Sequence, residues 1–371
     1  MKCEGYGTSP SGAQIVQYEL ESKNFIVRVL SWGAIIQDFI VKSTGRNIVL
    51  GYDSVKGYLQ GQAYFGATVG RVANRIANAE CIIGGVTYFF HPNNGPNLLH
   101  SGCHSLSFMN WQLVEHSESE LVLEATITEE EDRFPGDFTV QAHMKLDDEG
   151  LSIRYEYSTT KVSTVNITGH SYFNLTGEAT VKSHDVRLYA DEYAPFGANQ
   201  IPTGELKPVA DTAYDFTDWR NVGEALEANK KELAPYRGYD HFYMTRKGGS
   251  SDGMKSAEGL AAGKEAGAAK GAENLQSPGQ GLLKCSEFRG GGLTLTVLSD
   301  APGFQFYTGN WVKDTGRDGT KYGPHSGMCI EPSFIPNDCN LPGYRQSLTE
   351  ASTESQPKVY ERVIVYKVDV E

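Results

Sequence analysis

The amino-acid sequence predicts an all-β protein built as a large antiparallel β-sandwich. Three observations lead to this prediction. Apolar and polar residues alternate in many short segments, clusters of Gly, Pro, Asn and Asp separate those segments, and strong helical periodicity is nearly absent. The 20 tyrosines and 16 phenylalanines suit the core of such a protein, because aromatic residues favour strands.

The alternation is clearest in three segments, residues 121–128 (LVLEATIT), 151–157 (LSIRYEY) and 293–299 (LTLTVLS). Every second side chain of a strand lies on one face of the sheet, so each segment offers one apolar and one polar face. Further strands are predicted at 25–30 (FIVRVL), 185–190 (DVRLYA) and 363–370 (VIVYKVDV). The best helix candidate is the short segment 222–236, VGEALEANKKELAPY.

We expect a single domain over residues 1–371, with one flexible insertion at about 247–280. The insertion is rich in Gly, Ala, Ser and Lys and has no aromatic residue, and it follows the strand-like segment HFYMT. A long insertion at the tip of a hairpin costs little, because loop-closure entropy grows only logarithmically with length.

The charge and the cysteines limit the partners and the compartment. The formal net charge is −13 and no basic run offsets it, so we expect no nucleic acid and no membrane as a partner. The N-terminus has no apolar signal segment, and the six cysteines form no CxxC pair. We therefore expect free thiols and a cytoplasmic protein.

Two titratable residues stand out because each interrupts an apolar run. His170 lies in GHSYFNLTG, and taken alone this position favours a hydrogen-bonded core histidine over a proton carrier. Glu331 lies in MCIEPSFIPND, where we expect Pro332 to end a strand. Glu331 is either a strand-end glutamate in water or a base whose pKa is raised by partial burial.

Three further segments offer polar groups for a ligand. GRVANRIA carries Asn74 and Arg75 as hydrogen-bond donors beside Arg71, and NLLHSG carries His100. Asp240 in GYDHFY and Gln305 in GFQFYTGNW each lie among aromatic residues. Aromatic faces that stack on C–H surfaces, next to amides and carboxylates that pair with hydroxyls, are typical of a sugar site.

Other chemistries have weaker support. His100, Cys103 and His104 have the spacing of metal ligands, but no HExxH motif or second ligand pair accompanies them, so we expect no metal. No P-loop and no GxGxxG motif after a strand is present, and GHSYF is not a nucleophile elbow. We therefore expect no cofactor.

Seven motifs in order resemble the aldose 1-epimerase (galactose mutarotase) family. They run from about Val16 to the C-terminus outside the insertion and read YFGATVGRVANRIA, LLHSG, GHSYFNLTG, IPTGELKPVADTAYDF, GYDHFY, PGFQFYTGNW and HSGMCIEPSFIPND. The resemblance implies a β-sandwich of the supersandwich type, with the sugar in an open cleft across a sheet. Gly169 is a departure, since many relatives carry Asn there, and so is the segment after Glu331.

The resemblance also implies the activity and the site residues. The family interconverts the α and β anomers of free aldohexoses such as galactose and glucose, without a cofactor. Its acid corresponds to His170 and its base to Glu331. Residues on positions that hold the sugar are Asn74, Arg75, His100, Tyr172, Asp240 and Gln305. We expect a monomer.

Three alternatives remain at the level of the sequence. A hexose-6-phosphate 1-epimerase would need a further basic cluster for the phosphate dianion. A non-catalytic sugar-binding module would lack the acid or the base. A glycosidase would use two carboxylates, for which Glu331 and Asp240 are candidates, although the match at His170 argues against it.

Overall fold

A computed structural model of the protein describes residues 2–61, 63–246 and 281–371. Three antiparallel sheets contain most of the strand residues of the described chain. The largest has nine strands, in the order Gln112–His116, Glu120–Ile127, Phe138–Leu146, Gly150–Thr159, Tyr360–Val370, Leu293–Ser299, Leu283–Gly290, Asp185–Leu188 and Arg220–Asn221. The C-terminal strand therefore lies at the centre of this sheet.

The two other large sheets have five strands each. The N-terminal sheet is a meander of Lys2–Thr8, Gln14–Glu21, Phe25–Leu30, Ile35–Val41 and Arg46–Asn47. The second five-stranded sheet has the order Lys207–Pro208, Ala190–Ala194, Asp240–Thr245, Gly303–Tyr307 and Cys329–Ser333. Its last three strands come from distant parts of the sequence, so this sheet brings together residues that the sequence separates.

Five short strand pairs of the described chain lie outside these three sheets. They are Arg75–Ile76 with Leu98–Leu99, Thr68–Val69 with Thr168–Gly169, Glu80–Ile83 with Val86–Phe89, Ser163–Thr164 with Leu348–Thr349, and Asp314–Thr315 with Lys321–Tyr322. The α-helices of the described residues are short, namely Val55–Gln60, Glu129–Asp132, Val222–Ala228 and Lys230–Leu233. None of these helices is long and apolar enough to cross a membrane.

The inner faces of the three sheets share one hydrophobic core. It includes Val27 of the N-terminal sheet, Val140 and Ile364 of the nine-stranded sheet, and Phe304 and Phe306 of the second five-stranded sheet, all fully buried. Each such side chain contributes about 1.5–3 kcal/mol when it leaves water. The predicted all-β antiparallel sandwich is confirmed.

Two local predictions were wrong. Residues 185–190 do not form one strand, since Asp185–Leu188 belongs to the nine-stranded sheet and Ala190–Ala194 to the second five-stranded sheet. Pro332 does not end its strand, which continues to Ser333. That strand is the edge of its sheet, and an edge strand tolerates proline because one row of its backbone N–H groups needs no partner.

The prediction of a flexible insertion at 247–280 lies outside the described residues, and the prediction of one domain stays a prediction.

Candidate active site

Three neighbouring strands of the second five-stranded sheet bring Asp240, Gln305 and Glu331 together. Gln305 and Glu331 lie directly opposite each other across paired strands. The side-chain amide of Gln305 donates a 2.7 Å hydrogen bond to Oδ1 of Asp240 on the next strand. All three side chains are buried. The sheet register therefore forms one polar cluster from three separate motifs.

His170 follows the short strand Thr168–Gly169 and is fixed by its backbone. Its N–H donates to the carbonyl of Ala67, and its carbonyl accepts from the N–H of Gly66. Gly66 has a φ of +68°, and a Cβ atom there would lie 2.1 Å from the carbonyl oxygen of Ile36. Only glycine fits this position, so the close approach that anchors His170 depends on it.

The imidazole of His170 faces the carboxyl group of Glu331. Nε2 of His170 lies 3.6 Å from Oε1 of Glu331, and each residue is 4% exposed. A third polar side chain, Cys329, lies on the other side of the ring, with Sγ 3.7 Å from Nδ1.

Burial changes the pKa values of both groups in opposite directions. Desolvation raises the pKa of Glu331 well above its ordinary value; the nearby charge of Asp240 raises it further, and Arg75 partly offsets this. Desolvation lowers the pKa of His170 to about 4, against a backbone hydrogen bond that raises it. Both groups are therefore driven toward their neutral forms, with the one proton of the pair on Glu331.

Asn74, Arg75 and His100 form a second polar group beside this pair. The backbone N–H of Asn74 donates to Nδ1 of His100 over 3.2 Å, so Nδ1 carries no proton and Nε2 carries the hydrogen. Desolvation, followed by the charges of His170 and Arg75, lowers the pKa of His100 well below its ordinary value. His100 is therefore a neutral hydrogen-bond donor, with its ring centroid 5.4 Å from that of His170.

Two loop amides hold the guanidinium of Arg75. Nε donates to Oδ1 of Asn94 over 3.0 Å, and Nη2 donates to Oε1 of Gln200 over 2.7 Å. Arg75 lowers the pKa values of both Asp240 and Glu331, so its charge reaches both carboxyl groups. The first cause of the raised pKa of Asp240 is nevertheless desolvation.

Known proteins resemble this chain in sequence and in fold. The aldose 1-epimerase family model matches residues 16–357. The galactose mutarotases of Sus scrofa and Homo sapiens are each 33% identical over 357 residues, covering 94% of both chains. The aldose 1-epimerase of Escherichia coli (strain K12) is 31% identical over 327 residues, covering 86% of both.

The chain belongs to the aldose 1-epimerase family. It is an enzyme of the epimerase class and interconverts the anomers of aldoses. Two crystal structures share its fold with a TM-score of 0.80. The aldose epimerase homologue from C. elegans is 23% identical and covers 95% of this chain and 98% of its own. Galactose 1-epimerase from Lactobacillus acidophilus is 21% identical and covers 100% and 98%. The predicted resemblance and fold are confirmed.

The structure brings together the candidate site residues of this family member. Asp240, Gln305, Glu331 and His170 are linked by the contacts above, and His100 joins them to Asn74 and Arg75. The ring of Tyr172 lies 5.0 Å from that of His170 and forms a wall of the same site. Their catalytic and binding roles remain predictions.

Arg71 is not part of this site. It is fully buried, its Nε lies 2.9 Å from Oδ2 of Asp132, and one of its terminal nitrogens donates to the carbonyl of Gly136. Its guanidinium also lies 5.1 Å from the ring centroid of Phe138. Arg71 therefore ties the turn after residue 132 to the core.

The metal-ligand spacing of His100, Cys103 and His104 does not give a cluster, because Cys103 and His104 are exposed while His100 is buried. In residues 2–61, 63–246 and 281–371, no group of three or more His, Cys, Asp or Glu side chains could hold a metal ion.

Sequence reasoning missed three residues of the site. Cys329 contacts His170, and the rings of Tyr64 and Tyr307 lie 5.9 and 6.4 Å from its ring. Strand periodicity could have indicated two of them, since Cys329 is two residues from Glu331 and Tyr307 two residues from Gln305. Tyr64 begins the motif YFGATVGRVANRIA, but no local pattern distinguished its side chain as a neighbour of His170.

Proposed function

We propose that the enzyme interconverts the α and β anomers of free aldohexoses, galactose and glucose among them, with His170 and Glu331 as the proton carriers. The observation that carries the proposal is the buried pair of these side chains, 3.6 Å apart with opposite pKa shifts. The names of the curated relatives, galactose mutarotase, support galactose as a substrate.

The reaction requires two proton transfers in each direction. Glu331 takes the proton of the C1 hydroxyl while His170 gives a proton to the ring oxygen, and the bond between C1 and the ring oxygen breaks. Rotation about C1–C2 turns the aldehyde over. The C5 hydroxyl then attacks the other face, returning its proton to His170 as Glu331 protonates the new C1 oxygen. Each positioned transfer contributes about 10²–10⁴-fold.

The pair begins and ends this cycle with one proton and no net charge. Charge separation inside a buried site is costly, so a pair that stays neutral overall suits the burial of His170 and Glu331. The opposite pKa shifts place the proton of the resting pair on Glu331, so it moves to His170 before Glu331 takes the proton of the C1 hydroxyl.

The surrounding groups are suited to hold a neutral polyol. Nε2–H of His100 is a donor, Asp240 is an acceptor, and Gln305 and Asn74 offer amides. Arg75 is held rigidly by Asn94 and Gln200, so it orders a sugar hydroxyl at little entropic cost. Tyr172 offers an aromatic edge or face for C–H contacts.

Free sugars fit this site better than phosphorylated sugars. Arg71, the one further arginine that the sequence placed near the site, is paired with Asp132 in the core. The charge of Arg75 acts on the carboxyl groups of both Asp240 and Glu331, and two carboxyl groups near its guanidinium disfavour a phosphate dianion.

The setting of the enzyme is also proposed. All six cysteines are free thiols, two of them exposed, which supports a reducing compartment and hence the cytoplasm. We propose a monomer.

Exchange between the anomers can be measured directly in equilibrated sugar by two-dimensional NMR exchange of the anomeric protons. We expect exchange in galactose and glucose with the wild-type protein, and none above the buffer rate with Glu331→Gln. Faster exchange in glucose 6-phosphate than in both free sugars would show that the enzyme is a hexose-6-phosphate 1-epimerase. Sugar binding without exchange would make it a binding module.

A further inference from the structure

The side of His170 that faces away from Glu331 is occupied by a thiol. Sγ of Cys329 lies 3.7 Å from Nδ1, and Cys329 is fully buried. The two nitrogens of the ring therefore have different partners, a carboxyl group at Nε2 and a thiol at Nδ1.

The strand Cys329–Ser333 delivers both partners. Cys329 and Glu331 are two residues apart, so their side chains lie on the same face of the sheet, and both contact the imidazole from one strand. Gly169, next to the histidine, has no side chain to support the ring. A Cβ at Gly169 would lie 3.0 Å from the hydroxyl of Tyr366, so no bulkier residue fits there without a shift.

The proposed reaction defines what Nδ1 of His170 needs. Nε2 gives its proton to the ring oxygen and takes it back in each turnover, so Nδ1 keeps its hydrogen in the imidazole and in the imidazolium. A backbone N–H, such as that of Asn74 at Nδ1 of His100, can only donate and would hold the proton on Nε2. The sulfur of a thiol has lone pairs that accept, so it suits Nδ1–H in both states.

We propose that Cys329 is a positioning residue of the active site. Its sulfur accepts from Nδ1–H of both the imidazole and the imidazolium, so Nε2 stays turned toward Glu331 and the sugar and is free to give and take the proton. This inference rests on the proposed role of His170.

The surroundings of Cys329 keep its thiol protonated. Desolvation raises the pKa of Cys329 well above its ordinary value, and the charges of Glu331 and Asp240 raise it further. Cys329 therefore stays a neutral thiol across the working pH range. The titratable groups around the His170 ring are Cys329, Glu331, His100, Tyr64, Tyr172 and Tyr307.

Cys329→Ala and Cys329→Ser test the proposal, with Cys285→Ala as the matched control. Cys285 is also fully buried in a strand, but it lies in the nine-stranded sheet. We expect Cys329→Ala to lower kcat about tenfold with an unchanged KM, because the thiol lies behind the ring and not against the sugar. Cys329→Ser should recover most of the loss, since a hydroxyl oxygen also accepts from Nδ1–H. Cys285→Ala should match the wild type.

The acid limb of the pH profile provides a readout that a packing role would not change. Without an acceptor at Nδ1 the imidazolium is less stable, so the pKa of His170 falls and the limb moves to lower pH in Cys329→Ala. Ser should move it back. Equal kcat and equal limbs in the Ala variant and the wild type would overturn the proposal, as would a Ser variant identical to the Ala variant.

Nitrogen-15 NMR of the His170 ring tests the same contact without activity. We expect the neutral wild-type ring to show Nδ1 with the shift of a hydrogen-bonded N–H and Nε2 with that of an unprotonated nitrogen, and this signature to be lost in Cys329→Ala. An Nε2–H tautomer in the wild type would contradict the proposal. Absence of epimerase activity in the wild-type protein would instead refute the proposed function. The nitrogen-15 shifts would still report the contact between Cys329 and His170.

Discussion

Nε2 of His170 and Oε1 of Glu331 lie 3.6 Å apart in a site where each residue is 4% exposed. Burial lowers the pKa of the histidine to about 4 and raises that of the glutamate well above its ordinary value. Two groups that would form an ion pair in water are thereby driven toward neutral forms. The pair then holds one transferable proton, which the interconversion of anomers requires.

Removing either proton carrier should abolish turnover and leave the fold intact. Glu331→Gln and His170→Asn keep the approximate shape of the side chain, so we expect kcat to fall about 10²–10⁴-fold while the circular dichroism spectrum is unchanged. Glu361→Gln and His143→Asn, on the nine-stranded sheet, are the controls and should retain activity. Wild-type turnover in either site variant would exclude that residue as a proton carrier.

The pH dependence of kcat/KM should be bell-shaped, because only the pair with one proton is active. Below about pH 4 His170 is protonated as well, so the pair holds two protons and has no base. Above the raised pKa of Glu331 the last proton leaves and the acid is lost. Rates measured across this range check the prediction, and a rate that is independent of pH on both sides would contradict it.

Two charge-removing variants should move the alkaline limb in opposite directions. Asp240 raises the pKa of Glu331 and Arg75 lowers it. Asp240→Asn should therefore move the limb to lower pH, and Arg75→Met should move it to higher pH. Both should raise KM, because both side chains are proposed to hold the sugar. Shifts of the same sign in the two variants would show that the charges do not act on Glu331.

The buried pair of Arg71 and Asp132 should matter for stability and not for the sugar. Asp132→Asn leaves the guanidinium in the core without its carboxylate, at a cost of about 3–5 kcal/mol in the free energy of unfolding. Urea denaturation measures this loss, and KM should stay at the wild-type value in the folded variant. A raised KM with unchanged stability would show that Arg71 contributes to the sugar site.

His184 should make the protein less stable in mild acid. Its Nε2 accepts from the N–H of Leu175 over 2.8 Å, and burial lowers its pKa to about 4. The folded pKa lies below the unfolded pKa of about 6.5, so this contribution is complete above pH 6.5 and is lost as the pH falls toward 4. It amounts to roughly 3 kcal/mol.

His184→Gln keeps an acceptor without a titratable ring, so its free energy of unfolding should fall less between pH 6.5 and pH 4 than that of the wild type. Urea denaturation at a series of pH values measures the difference. Parallel curves for the two proteins would show that His184 does not carry this effect.

Strand periodicity predicted much of the fold because single-strand signals are local. The segment Leu293–Ser299 was predicted at its observed bounds. The division of residues 185–190 between two sheets could not be read in this way, because it depends on which distant strands pair with Val186 and with Ala190.

Site residues that lie in a recognisable motif could be predicted, whereas residues placed by packing could not. His170 and Glu331 were found through their motifs, and the register of three strands explains why Asp240 and Gln305 join them. Arg71 and Arg75 look equivalent in the sequence. The structure distinguishes them, because Arg71 is paired with Asp132 in the core whereas Arg75 lies beside the site.

Polarimetry of freshly dissolved α-D-galactose, with wild-type protein and Glu331→Gln in parallel at low buffer concentration, tests the central claim most directly. We predict fast relaxation to the equilibrium rotation with the wild type and relaxation at the buffer rate with the variant. Fast relaxation in both would contradict the role of Glu331 as the base, and relaxation at the buffer rate in both would contradict the activity on galactose itself.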